Sequence, residues 1–347
     1  NVLFKRVRRV KTVVRRARAF RFFTLPLLVL LPALWVGIFA GASGADSSSF
    51  RFVVVADSRS KENEPSVNSA VLRRLMSDMN ALEPAFCLFP GDLVYGDKVG
   101  NDAFKRQLQE WITDTGQFGS TVYVTPGNHE FWGGVGRADA WREVFPNMPG
   151  NGPPGEEYKC SYYFDYGNCR FISILSDRED QGTRVDQKWL DEILEASGSF
   201  EHIFVFSHHP IPDLGGVKGA FWRSLVVHHV DAYFCGHLHY YSRSQPEGLG
   251  TWQVIVGTAG APPYAPSPAV TGTTIPDQYG FAAVDVDGPN VKVVFYGDGD
   301  GDGHYNDVMD SFFIVVPKGG EQKAPSSGLV GQPAATVENR GCLGLGF

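Results

Sequence analysis

Phe86-Cys-Leu-Phe-Pro-Gly-Asp-Leu-Val-Tyr95 passes from apolar to polar at a single step. A short β-prone run ends in Pro-Gly and an acid follows at once. Such a run reads as a buried strand, and the flexible glycine lets Asp92 point out of the sheet edge. The pattern repeats on both sides. Residues 52–56 end at Asp57-Ser-Arg59, 122–125 lead to Gly127-Asn-His-Glu130, 202–206 end at Ser207-His-His209, and 232–235 end at Gly236-His-Leu-His239, with a further buried run at 171–175. Helix-like segments at 67–80, 102–113, 186–195 and 221–228 alternate with these strands, the order of a sheet covered by helices. Strand-like runs at 251–256, 280–285 and 291–296 then follow one another. The expected fold class is α/β, a four-layer αββα sandwich of two mixed sheets flanked by helices.

The ends of strands are where α/β sheets assemble sites, and here five of them carry metal-binding residue types in succession. Asp92 is the candidate bridging ligand, since one carboxylate can serve two cations about 3.5–4 Å apart. The turn implied by Gly236 can splay His237 and His239 toward two metals. Imidazoles combined with carboxylates suit iron, zinc or manganese.

These residues resemble the calcineurin-like metallophosphoesterases over roughly residues 52–296. That family's series runs Asp-x-His, Gly-Asp-x-x, Gly-Asn-His-Asp/Glu, a His closing a strand, and Gly-His-x-His. Every block is present, with Arg59 standing where the first His would be. The resemblance implies a dinuclear site, with one metal on Asp57, Asp92 and His239 and the other on Asp92, Asn128, His208 and His237. It also implies His129 at the substrate phosphate, as proton donor or phosphoryl contact. Glu130 is then a candidate to orient His129, and Arg59 either forks onto phosphate or pairs with a ligand carboxylate. Purple acid phosphatases also lack the first His and use a Tyr at the place of Tyr95, which makes Tyr95 a further candidate ligand, although their first motif is Asp-x-Gly and an Arg there is foreign to them. The chemistry implied is hydrolysis of phosphomonoesters by metal-activated hydroxide, with divalent or mixed-valence Fe, Zn or Mn. The alternatives are a phosphodiesterase acting on nucleotides or lipid head groups, or a non-catalytic metal-binding homologue.

Charge is unevenly spread. Of 31 basic and 38 acidic residues, residues 1–50 hold nine Lys/Arg and one acid, leaving 22 and 37 beyond them. So acidic a body lacks the basic field that nucleic-acid binding requires, and the expected partner is a small phosphorylated molecule. The basic start and the uncharged stretch 22–45 read as an export signal or a membrane anchor, implying work outside the cytoplasm with the membrane a candidate partner. Residues 46–316 form the catalytic domain and 317–347, rich in Gly, Pro and Ser, a flexible tail. Five cysteines lack CxxC spacing; a bridge between Cys160 and Cys169 is conceivable only out of cross-strand register. Alternating Asp298, Asp300 and Asp302 resemble the opening of a calcium loop without its terminal Glu, a candidate structural calcium site or a polar turn.

Overall fold

The computed structural model describes residues 49–62, 64–248 and 250–315. The proposed export segment, the C-terminal tail and Cys342 lie outside the described residues. Among the described residues no helix is long and apolar enough to cross a membrane.

The expected sandwich is what forms. One sheet has six strands in the order β13 (Asp307–Val315), β12 (Asn290–Gly297), β11 (Gly280–Asp287), β1 (Ser49–Val54), β2 (Phe86–Pro90) and β3 (Thr121–Thr125). The last three run parallel and the others antiparallel. The other sheet has seven, in the order β10 (Thr273–Ile275), β8 (Tyr241–Ser244), β9 (Trp252–Val256), β7 (Ala232–Cys235), β6 (His202–Phe206), β5 (Cys169–Ser173) and β4 (Tyr162–Tyr166). There β5, β6, β7 and β9 are mutually parallel.

Period-2 alternation assigns each strand residue to a layer. In β6, Phe204 and Phe206 enter the core between the sheets, while Ile203 and Val205 face the helices α5 (Gln187–Glu195) and α6 (Ala220–Val227). Strand β7 repeats this with Ala232 and Phe234 inward and Tyr233 and Cys235 outward. Rings join the sheets: Phe52 packs edge-on to Phe171 and Phe204, at 5.1 and 5.3 Å, and stacks on Phe86 at 5.4 Å. On the far face of the first sheet, Phe89 meets Trp111 of α2 (Asn101–Thr115), and α1 (Ser69–Asn80) buries Leu72, Leu75, Met76 and Met79.

Two short helices were not expected, α3 (Asn128–Phe131) and α4 (Arg137–Val144). Cys160 and Cys169 are free and buried, and Cys169 pairs with Tyr166 across a two-residue turn, so the hairpin leaves Cys160 without a cross-strand place opposite it. Asp298, Asp300 and Asp302 lie close enough to share a cation. They sit in the β12–β13 turn, where their carboxylates accept amides of Gly301, Gly303, Asp302 and His304 and so hold the turn themselves.

Candidate metal centre

Each candidate residue leaves the carboxyl end of a parallel strand: Asp57 after β1, Asp92 after β2, Asn128 and His129 after β3, His208 after β6, and His237 and His239 after β7. The two sheets thus contribute to one cluster. Three of these residues have left-handed backbones, Asp57 (φ 66°), Asp92 (φ 52°) and His237 (φ 67°). Non-glycine residues adopt that region at a cost and collect there at functional sites. Close approach explains two glycines. A Cβ on Gly127 would stand 2.3 Å from Asp92 Oδ1, and one on Gly236 would stand 2.2 Å from Asp57 Oδ2.

The centre is a set of acceptor atoms facing one another. His208 Nε2 lies 3.0 Å from Asn128 Oδ1 and 3.2 Å from Asp92 Oδ1. His237 Nδ1 lies 3.0 Å from the same Asn128 oxygen and 3.3 Å from His208 Nε2. The tautomers follow from the other ring nitrogens. His208 donates from Nδ1 to the Pro90 carbonyl (3.0 Å) and His239 donates from Nδ1 to the Pro262 carbonyl (2.6 Å), so each presents Nε2 inward. His237 Nε2 points toward Asp213, 3.9 Å away. Such outer contacts fix the orientation of metal-binding imidazoles.

The cluster calls for positive charge. Asp57 Oδ1 is buried without a hydrogen-bond partner, although its other oxygen accepts the His237 amide at 2.9 Å. Burial disfavours the Asp92 carboxylate, yet His208, His129 and Arg59 hold it well below the usual range. Burial likewise disfavours a charged His208, but Asp92 raises it well above the usual imidazole range; a bound cation would take over the role of that proton. Burial and the neighbouring histidines push His237 down to about 2, leaving it neutral. Donors around a cation with bonds of about 2.0–2.2 Å stand about 3–3.5 Å apart, the spacing found here. Asp57, Asp92 and His208 are also mutually close enough to share one ion. The donor set therefore fits a divalent metal.

His129 stands beside this set. Its amide donates to Asp92 Oδ1 (3.1 Å), and its Nε2 is 3.9 Å from Asp92 Oδ2. Its Nδ1 faces the Tyr95 carbonyl at 2.7 Å and Asp97 Oδ2 at 3.1 Å. Asp97, rather than Glu130, is thus the carboxylate that orients it. Glu130 is wholly buried and instead accepts the amides of Asp92 (2.9 Å), Val94 (3.0 Å) and Gly127 (2.8 Å), tying the loop after β2 to the start of α3. Burial and the Asp92 charge push this acid up to about 7 against the pull of its amide donors. Glu130→Ala should cost at least about 3 kcal/mol, since three buried amides lose their acceptor. A fall in the unfolding midpoint would show it, with a smaller fall for Glu130→Gln, which keeps one acceptor oxygen.

Tyr95 lays its ring against that of His129 (5.2 Å between centroids, 46°), and its hydroxyl makes no hydrogen bond to the cluster among the described residues. Arg59 is brought onto the Asp92 carboxylate: its Nε donates to Asp92 Oδ2 at 3.4 Å, and its Nη2 to the Tyr264 hydroxyl at 3.0 Å. Burial opposes that charge, but Asp92 and its neighbours raise the guanidinium pKa further. Tyr264, whose ring stacks on His239 at 3.8 Å, carries no motif. His209 lies between Asp177 (2.8 Å) and Asp213 (3.3 Å), with its ring 4.1 Å from that of His237. Asp97, Asp177 and Asp213 carry no motif, and only the fold brings them here.

Comparison with known proteins agrees with this geometry. None of the curated proteins matches the chain. Among solved structures, a purple acid phosphatase from yellow lupin (Lupinus luteus) seeds is similar over 78% of this chain, with 20% identity and a TM-score of 0.57; the match covers 54% of the lupin chain. A dimetal phosphatase from Danio rerio matches 77% of this chain and 98% of its own, at 16% identity and the same TM-score. An anchor protein of the Plasmodium inner membrane complex matches 78% of this chain and 90% of its own, at 14% identity and a TM-score of 0.54. These likenesses concern the fold. The model of the calcineurin-like phosphoesterases matches residues 50–241, more than half of the chain and the span that holds every candidate ligand of this centre, so the chain belongs to the calcineurin-like phosphoesterase family.

Proposed function

We propose that the chain is a metal-dependent phosphomonoesterase. The observation that carries this reading is the convergence of Asp92 Oδ1, Asn128 Oδ1, His208 Nε2 and His237 Nδ1, with His129 adjacent to it and outside it. A cation held by those residues and Asp57 would supply Lewis acidity toward a phosphoryl oxygen and a source of hydroxide near neutral pH. The remaining roles fall to the protein. His129 holds a proton at Nε2 for the departing oxygen, and Asp97 and the Tyr95 carbonyl fix the ring through Nδ1. No side-chain nucleophile is needed, as Ser58 and Ser207 are both buried and the Ser58 hydroxyl is spent on the Leu93 carbonyl.

A monoester is preferred because its dianion carries more charge than a diester and is drawn more strongly to the permanent charge of Arg59 beside Asp92. The basic and then apolar run in residues 1–45 favours work outside the cytoplasm. Reconstituted with zinc, manganese or iron, the chain is expected to hydrolyse an aryl phosphate at least about tenfold faster than the matching diester, a difference of about 1.4 kcal/mol in barrier. A reversed preference would assign it to diesters. Full metal occupancy without turnover of either would make it a binding homologue.

A further inference from the structure

We propose that Arg59 takes the place of the first cation, so that this centre holds one metal ion where the family pattern supplies ligands for two. The inference rests on the metal-dependent reading above and deepens it.

The first cation was expected on Asp57, Asp92 and His239. Among the described residues no group of three or more His, Cys, Asp or Glu close enough to share an ion includes His239, which reaches Asp57 alone, whereas Asp57 and Asp92 group with His208. The His239 lone pair is at Nε2, because Nδ1 donates to Pro262. Two groups face that lone pair at 3.5 Å, Asp57 Oδ1 and Arg59 Nη2, so the guanidinium stands beside the pair of donors that a first ion would join. Asp92 is divided in the same way. Its Oδ1 turns to His208 and the His129 amide, while Oδ2, the oxygen a bridging carboxylate would give to the first ion, turns to Arg59 Nε.

The guanidinium is not a passing visitor. Arg59 is only 8% exposed, and its guanidinium is fixed by the Ser60 carbonyl at 3.2 Å and the Tyr264 hydroxyl at 3.0 Å. Tyr264 in turn caps His239, and the loop that carries it is pinned where the Ala261 amide donates to the Asp57 carbonyl at 2.8 Å. Arginine keeps its charge at any pH at which the protein is folded. A divalent ion between Asp92 Oδ2 and His239 would therefore meet a permanent positive charge at contact distance, in a buried place where charges are weakly screened. One ion on the side of His208, His237 and Asn128 would still be shared with Asp57, which groups with Asp92 and His208.

The test is metal stoichiometry. Full-length chain stripped with chelator, reloaded with excess Mn²⁺ and desalted should carry about one manganese per chain by mass spectrometry, with the electron spin resonance signal of an isolated ion. Arg59→His and Arg59→Gln should each carry about two, with the spectrum of a coupled pair. Two ions on the wild type would overturn the proposal whatever the activity. So would variants that stay at one while keeping the wild-type circular dichroism; should either variant misfold, the wild-type count alone decides. One ion without turnover of any phosphoester would leave this inference standing and defeat the phosphatase reading. Two ions with turnover would do the reverse.

Discussion

Asp92→Ala is expected to abolish cation binding and to lower turnover by more than the about 10²–10³-fold lost when a single oxyanion donor is removed. Asp92 is the one carboxylate on which the whole centre turns. Its Oδ1 meets His208 Nε2 and the His129 amide, and its Oδ2 meets Arg59. Removing it deletes a donor to the cation and leaves a buried guanidinium without its carboxylate. The two losses should appear together, as absent metal by mass spectrometry and as a turnover deficit that added metal does not restore. Near-normal turnover with full metal content would show that Asp92 is not a ligand.

His129→Ala should separate what Asp92→Ala joins. His129 touches the cluster through its backbone amide, which Ala keeps, and through Nε2 at 3.9 Å, while its Nδ1 is taken by the Tyr95 carbonyl and Asp97. Metal content should therefore stay near that of the wild type while turnover falls about 10²–10⁴-fold, the scale of acid–base help. The loss should shrink for aryl esters whose leaving oxygen needs no proton. Asp97→Asn should give a smaller loss in the same direction, because Asp97 acts only by orienting the ring. Metal lost in step with activity would make His129 a ligand and overturn the assignment.

Much of this centre was legible in the chain because its residues sit where apolar strands stop. An abrupt change such as Phe89-Pro-Gly-Asp92 marks both a strand end and a donor, so the fold and the site share one signal. The missed parts have no such local mark. Glu130 follows His129 directly and so reads as its helper, yet in the first turn of α3 its side chain runs back toward the strand ends and collects amides. Tyr264 is 205 residues from Arg59, and their contact exists only once β9 is in place beside β7. Strand β13 was hidden by the Asp-Gly repeat before it, which reads as punctuation. Its alternation is nevertheless present at its end, with Phe312 and Ile314 buried and Ser311 and Phe313 exposed, as suits an edge strand.

The order of strands also sets a timetable. Strand β1 lies between β2, made soon after it, and β11, made more than 200 residues later, and the Arg51–Asp285 ion pair joins positions 234 residues apart. On a ribosome that delivers about 5–20 residues each second, β1 therefore waits about ten seconds or longer for its second neighbour. Until then one edge of β1 is bare, and the loop bearing Asp57 and Arg59 hangs from a strand held on one side. Pairing at such long range also slows folding in general. Synthesis thus finishes most of the chain before the centre can close, and the nascent protein depends for that interval on whatever shields an open strand edge.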